Sequence, residues 1–351
     1  MSEQISHLSP GAILPAPAGP VLVAGGAGYI GSHCVRALVD RGVPVVVLDN
    51  FSTGHAIAAE RAGRGRARVE FGDLGDAAFL ERVFKAHRPQ SVIHFAAKCY
   101  VGESVSEPAK YYRENVAYTW NLLEAMRAHH CRSIVFSSTC ATYGEPQRIP
   151  IDERHPQDPI NPYGRTKLHM EHMIEDFSKA YGLRYAALRY FNAAGASPEG
   201  DLGEDHRPET HLIPLVLDVA LGKRSEIKIF GDDYPTRDGT CIRDYIHVLD
   251  LADAHLRALS RLQMDAHRVV ANLGTGEGYT VRELIDLAGQ VTGRPIRATV
   301  AARRAGDPAM LVSGGTRARD LLGWVPQHSA LESILRDAWR FHQAYPNGYP
   351  A

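Results

Sequence analysis

The stretch from Val21 to Asp49 constrains the fold more than any other. Val21-Leu22-Val23-Ala24 is a short apolar run, followed at once by Gly25-Gly26-Ala27-Gly28-Tyr29-Ile30-Gly31. Val35, Leu38 and Val39 continue with helical spacing, and Val43 to Leu48 form a second apolar run ending in Asp49. Strand, glycine turn, helix, strand and acid in that order are the layout of a dinucleotide-binding βαβ unit. Gly25, Gly28 and Gly31 have G-x-x-G-x-x-G spacing, not G-x-G-x-x-G. Such glycines allow a tight turn and bring the positive end of the next helix against a pyrophosphate. The carboxylate of Asp49 suits ribose hydroxyls and repels a 2′-phosphate, which favours NAD over NADP.

Strands and helices keep alternating beyond this unit. The expected fold class is therefore α/β: a Rossmann-type doubly wound parallel sheet with a smaller C-terminal α/β substrate lobe. Val69 to Leu74 reads as a third strand, with Asp73 as its polar contact to adenine. Ser91 to Ala97 is a fourth, and its small last residues serve either cofactor approach or tight helix packing. Asn115 lies in a helical stretch from about Pro108 to His129, and Ser133 to Ser138 is a fifth strand running into Thr139. The carboxyl end of such a strand is where an open α/β sheet meets its ligand. Arg184 to Arg189 leads into Tyr190-Phe191-Asn192, after which Gly195 to Pro208 reads as loop.

An NAD-binding domain is accordingly expected over residues 21–192 and a substrate lobe over 193–351, with 238–262 returning to the first domain. Asp238 to Val248 reads as one strand, followed by a helix from about Leu249 to Leu262. Residues 1–20 carry Pro10, Pro15, Pro17 and Pro20 and no basic segment leading into an apolar core. They read as a mobile tail and not as a secretory signal.

The chemistry is suggested by Asn161-Pro162-Tyr163-Gly164-Arg165-Thr166-Lys167. Pro162 suits the first position of a helix, on which Tyr163 and Lys167 share a face one turn apart. A nearby ammonium favours the phenolate, so the tyrosine pKa is expected to fall from about 10 towards working pH. A phenol so tuned can take a proton from a sugar hydroxyl and return it. On spacing alone a surface helix pair is the plainer reading. Arg243 and Arg304 suit bidentate contact with a substrate diphosphate, or equally surface salt bridges.

A net charge of -1 gives no general attraction to nucleic acid or an anionic membrane, so an anionic ligand must be met by local groups. Cys34, Cys99, Cys131, Cys140 and Cys241 show no CxxC pair, which argues for reduced thiols in a cytoplasm and against a metal site. No run is long and apolar enough to span a bilayer.

Taken together, Gly25 to Gly31, Leu48-Asp49-Asn50, His94-Phe95-Ala96-Ala97, Val101 to Ser104, Tyr163 to Lys167, Leu188 to Asn192, Gly239 to Val248 and Asn272-Leu273-Gly274 resemble the extended short-chain dehydrogenase/reductase family. Within it they resemble the nucleotide-sugar 4-epimerases, from about Val21 to the end of the chain. The resemblance implies NAD as cofactor, a UDP-sugar as substrate and a homodimer formed through the Pro108–His129 stretch and the Tyr163 helix. Gly25, Gly28 and Gly31, with Tyr29 and Ile30 between them, would carry the pyrophosphate. Asp49 and Asn50 would hold the adenosine ribose, and Asp73 and Leu74 the adenine. Phe95, Ala96 and Ala97 would line the cofactor, with Asn115 beside it. Thr139 and Tyr163 would meet the sugar 4-hydroxyl, while Lys167 holds the nicotinamide ribose. Tyr190 and Phe191 would border the nicotinamide and Asn192 the sugar diphosphate. Arg243, Arg304 and Asp307 would fix the UDP, with Phe230 at the uracil.

The resemblance has two departures. Many members carry a cofactor-assisting lysine where this chain has Cys99, one position after Lys98, and Met310 stands where the family gates room for an N-acetyl group. The implied reaction interconverts UDP-glucose and UDP-galactose. UDP-arabinose/UDP-xylose and UDP-N-acetylhexosamine are the alternatives, the first because Ser137 to Gly144 also resembles pentose 4-epimerases. Cys140-Ala141-Thr142-Tyr143 offers no carboxylate after Thr139, which argues against dehydration. A non-catalytic NAD sensor would not need Tyr163, Lys167 and Thr139 together.

Overall fold

The apolar runs become parallel strands covered on both faces. The computed structural model describes residues 7–304 and 307–350. Its main sheet contains β1 (Val21–Ala24), β2 (Val45–Asp49), β3 (Arg68–Phe71), β4 (Ser91–His94), β5 (Ser133–Thr139), β6 (Arg184–Tyr190) and the strand Arg268–Leu273. The spatial order is Arg268–Leu273, β6, β5, β4, β1, β2, β3, all parallel. The chain runs outward from β1 to β3, then restarts at β4 and runs the other way. That reversal opens a crevice between the carboxyl ends of β1 and β4, where this class of sheet binds ligands. β1, β2 and β5 are wholly buried, whereas β3 is largely exposed, as its edge position requires.

Two apolar layers flank the sheet. On one face, Val35 and Leu38 of α1 (Tyr29–Asp40) share a core with Leu251, Leu256 and Leu259 of the Val248–Met264 helix. On the other, Leu80 and Phe84 of α2 pack with Leu122, Met126, Met170 and Ile174, where α2 denotes the helix Ala77–His87. A separate core in the second lobe joins the helices Leu212–Ala220, Val281–Thr292 and Leu331–Ala344 to the paired strands Ile227–Phe230 and Ala298–Ala301.

The structure differs from the sequence reading in three places. The return to the first domain does not match 238–262: Ile242–Arg243 pairs with Tyr279–Thr280 and Met310–Leu311 outside the main sheet, while the buried Val269 to Leu273 pairs along β6. The single strand expected over Asp238 to Val248 is two short ones, Ile242–Arg243 and Tyr245–His247. The break falls at Asp244, whose buried carboxylate accepts hydrogen bonds from the backbone N–H groups of Thr275, Gly276 and Ser313 and from the Thr275 hydroxyl. The segment read as a mobile tail is held down: Leu8 and Gly11 donate to Asp320 O and Gly323 O, and from Ala12 onward it contacts the Val248–Met264 helix. Arg257 donates to Ala12 O (2.7 Å), Ser260 to Pro15 O (2.8 Å), and Ala18 N–H donates to Gln263 Oε1 (2.7 Å). Residues 1–6 of that segment, and residues 305 and 306 of the loop carrying Arg304 and Asp307, lie outside the described residues. Among the described residues, no helix is long and apolar enough to cross a membrane.

Candidate active site

The nucleotide end of the crevice is shaped mainly by backbone. Gly25 has φ +81, and a Cβ there would meet Ala96 N at 2.5 Å. A Cβ on Gly31 would sit 2.1 Å from Gly25 O, so the turn is closed against itself and against the end of β4. α1 begins at Gly28 with no side-chain cap, which leaves its first N–H groups for an anion. Asp49 accepts hydrogen bonds from Ala27 N (2.9 Å) and Phe51 N (2.8 Å), and burial raises its pKa against those bonds. Asp73 accepts from Gly75 N at 2.6 Å and from the Asn50 amide. A glycine cradle, free helix N–H groups and a rigidly held carboxylate together fit a dinucleotide such as NAD.

A cavity of about 460 Å³ runs over the carboxyl ends of the strands. It is lined by Gly25, Gly28, Tyr29, Ile30, Gly31, Asp49, Asn50, Asp73, Leu74, Phe95, Ala96, Ala97, Tyr190 and Phe191, and by Thr139, Tyr163, Lys167 and Asn192. The residues after β4 border the cavity and lie close against the Gly25 turn. Asn115 stands behind the wall, in a π-helical turn (Tyr112–Ala117). Its side chain accepts from Lys98 N (2.8 Å) and donates to Lys98 O (3.1 Å) and Thr166 Oγ1 (3.0 Å), which ties the wall to the Tyr163 helix.

That helix runs Pro162–Tyr181 and is capped by Asn161, whose Oδ1 accepts from Gly164 N at 2.9 Å. Beneath it the buried Arg189–Glu171 ion pair also engages Ser138, and Arg189 reaches Tyr143 Oη at 3.0 Å. Lys167 Nζ donates to Ser137 O (2.9 Å) and lies 5.0 Å from the centre of the Phe136 ring. Burial pulls its pKa down to about 8, against the charge of Glu171. The expected fall in the Tyr163 pKa does not occur. Burial pushes it well above the ordinary phenol value, Tyr190 and Cys99 add to this, and the hydrogen bond with Thr139 opposes it only in part. Sequence spacing placed a cation nearby but could not weigh it against complete desolvation.

The four remaining substrate candidates do not line the cavity. Arg243 donates to Asp307 Oδ1 (3.0 Å) and to Ile242 O and Pro308 O (both 2.9 Å), while the Arg304 guanidinium lies 3.9 Å from the centre of the Phe230 ring. The structure therefore gathers them as two pairs on the second lobe. Met310 pairs with Ile242 on a short strand, and its neighbour Leu311, beside Arg243, is the residue that lines the cavity. Lys98 and Cys99 both line the cavity, but Lys98 Nζ is engaged by Ser52 Oγ (3.0 Å) and Glu114 Oε2 (3.6 Å).

The sequence reading missed one group. Glu204, His206 and His211 line the cavity, with Glu209 beside them, within a stretch treated largely as loop. Burial opposes charge on both imidazoles, yet the carboxylates of Glu204 and Glu209 outweigh it, raising His206 to about 10 and His211 to about 11. The available signal was the spacing E-x-H-x-x-E-x-H.

The family model described as NAD dependent epimerase/dehydratase family matches residues 21–274. The UDP-glucose 4-epimerase of Halalkalibacterium halodurans is 52% identical over 331 residues, covering 94% of this chain and 97% of that protein. The UDP-glucose 4-epimerase of Rhizobium leguminosarum bv. trifolii is 53% identical over 322 residues, covering 92% of this chain and 97% of that one. The crystal structure of UDP-glucose 4-epimerase from Brucella ovis in complex with NAD superposes with a TM-score of 0.89 at 50% identity, covering 92% of this chain and 98% of that chain. With these matches, and with a glycine turn, a buried aspartate and a Tyr-x-x-x-Lys helix around one cavity, this chain belongs to the NAD dependent epimerase/dehydratase family.

Proposed function

We infer that the chain interconverts UDP-glucose and UDP-galactose by transient oxidation at sugar C4. The observation that carries this is the meeting of Tyr163, Thr139 and Lys167 on the floor of the cavity whose other end is the glycine turn and Asp49. NAD, when bound, would supply the acceptor and then the donor for the C4 hydride, and its oxidised form would contribute positive charge to the site.

Burial favours the neutral phenol of Tyr163, so forming the phenolate base calls for positive charge close to the ring. The phenolate then removes the proton of the sugar 4-hydroxyl and returns it to the new alcohol. Thr139 bonds the same oxygen and keeps it facing Tyr163. Lys167, anchored on Ser137 O, holds the nicotinamide ribose and favours the phenolate. Asn192 meets the sugar diphosphate, while Arg243, Arg304 and Asp307 hold the UDP with Phe230 at the uracil. Anchoring the nucleotide and not the hexose lets the 4-keto sugar turn over in the site. Asn115 acts on the cofactor through the Lys98 backbone it fixes.

The enzyme works in the cytoplasm on galactose-containing nucleotide sugars, as a homodimer. Val116 and Tyr118 pack inward with the apolar layer under the Pro108–His129 stretch, and the exposed Tyr112 and Trp120 remain for the partner.

Proton NMR of the purified protein with UDP-galactose, adding no NAD, tests the reading. UDP-glucose should appear. No conversion even after NAD is supplied would remove the hexose assignment and direct the assay to UDP-xylose. A second reading, acceptance of UDP-N-acetylhexosamines, is favoured by Leu311 at the cavity wall, since an aliphatic side chain leaves more room there than a large aromatic ring.

A further inference from the structure

Glu204, His206, Glu209 and His211 take no part in the proposed proton transfer, yet their side chains converge on one point. One ligand atom from each lies within 4.8 Å of all the others. His206 Nδ1 is 3.1 Å from Glu204 Oε1 and 3.5 Å from Glu209 Oε2. His211 Nδ1 is 3.0 Å from Glu204 Oε1 and 2.8 Å from Glu209 Oε1. Ligands of a tetrahedral zinc ion, each about 2.0–2.1 Å from the metal, stand roughly 3.3 Å apart. The four nitrogen–oxygen separations bracket that value.

A second observation separates this group from an ordinary ion-pair network. His206 Nδ1 is buried and, among the described residues, has no hydrogen-bond partner of ordinary geometry despite two carboxylates within reach. The nitrogen stands 3.1 Å from one carboxylate and 3.5 Å from the other, so both are close enough to share one ion with it.

We propose that Glu204, His206, Glu209 and His211 form a binding site for one zinc-like divalent ion at the junction between the nucleotide domain and the second lobe. Two imidazoles with two carboxylates suit zinc or a neighbouring transition metal, whereas magnesium and calcium prefer an all-oxygen set. Two carboxylates also balance the ion's charge, so the unit is neutral. The site joins the loop after Ala194 to the start of the Leu212–Ala220 helix. The His206 ring lies edge-on to Tyr29 of the glycine turn (6.4 Å) and to Tyr100 of the opposite wall (6.0 Å). The ion is thus placed to fix the wall that both the cofactor and the sugar nucleotide pass. It departs from the absence of metal that the cysteine pattern suggested, because the ligands come from a histidine–glutamate spacing instead.

The test uses tag-free protein with its cofactor retained, stripped by a chelator and titrated with Co²⁺. Tetrahedral visible bands should grow to saturation at one ion per chain and vanish when Zn²⁺ is added. His206→Gln and Glu209→Gln should each lose the bands, and the thermal midpoint should rise with Zn²⁺ in the parent but not in the variants. Circular dichroism and bound nicotinamide content establish that each variant is folded. Bands absent from the parent, or equally strong in both variants, would overturn the proposal and leave an ion-pair network only. Equilibrium dialysis of the parent against Zn²⁺ decides the matter even if a variant fails to fold, since retention well below one ion per chain also overturns it.

Discussion

The two ends of the cleft are built from different material. At the nucleotide end the contacts are mostly main chain: a glycine turn without room for a Cβ, uncapped helix N–H groups, and an Asp49 carboxylate held by two backbone donors. On the second lobe the candidate residues are side chains that already hold one another, Arg243 with Asp307 and Arg304 over Phe230, while two glutamates and two histidines meet near the cavity. A backbone site is preformed, and most substitutions there destroy it. A side-chain site must exchange partners to admit a ligand, and single residues can retune it. The first end is therefore suited to a cofactor that stays, and the second to substrates that come and go.

The strongest way to test this division is at the point where the two ends meet. Tyr163→Phe should lower kcat by about a hundredfold to ten-thousandfold while bound NAD and the thermal midpoint stay close to the parent. A variant that kept most of its turnover would remove the assigned base. Gly31→Ala should do the reverse, losing bound cofactor at purification and destabilising the fold by about 1–3 kcal/mol, because the new Cβ has only backbone to displace. Retention of cofactor by that variant would show that the nucleotide end is more adjustable than its geometry implies.

Side-chain changes should act more narrowly. Arg243→Ala is expected to raise KM for the UDP-sugar by roughly tenfold with little change in kcat, since a charge-assisted contact of about 1.5 kcal/mol is lost equally from ground and transition states. An equal fall in kcat would move Arg243 into the chemistry. Leu311→Tyr should reduce the ratio of N-acetylated to plain hexose turnover by about tenfold, read from competing substrates by NMR.

Lys167 supplies the smallest effect and a signed one. Burial lowers its folded pKa to about 8 from an ordinary value near 10.5, so the fold disfavours the charged amine. The unfolded chain binds more protons between those values, and stability from this group should rise as pH climbs from about 8 towards 10.5. Lys167→Met should lose activity yet flatten that rise, as followed by thermal melting across the window. A rise equally steep in the variant would assign it to another group.

Much of this was legible in the linear chain, for reasons that are local. Apolar runs of strand length, glycines where a Cβ has no room, a proline at the first turn of a helix and an acid at a strand end each report their own backbone, and that information lies within a few neighbouring residues. The succession of β1 to β6 along the chain followed from them, whereas most of the residues that border the cavity were named only through the family resemblance. Longer-range balances were not legible. Arg268–Leu273 joined the main sheet because burial on both faces outweighed its late position in the chain. Asp244 broke a strand by collecting donors from residues 275, 276 and 313. The Tyr163 pKa rose where spacing had predicted a fall, because desolvation depends on everything around the phenol and not only on the lysine one turn away. Leu311 displaced Met310 from the cavity wall by strand alternation, and two glutamates and two histidines of a supposed loop met at the lobe junction. The sequence by itself determined the dinucleotide fold, which is written in local spacing, and it put Tyr163 and Lys167 on one helix face. Only the tertiary structure decided the protonation of that pair and the partners of each charge, because burial and convergence are properties of the folded chain.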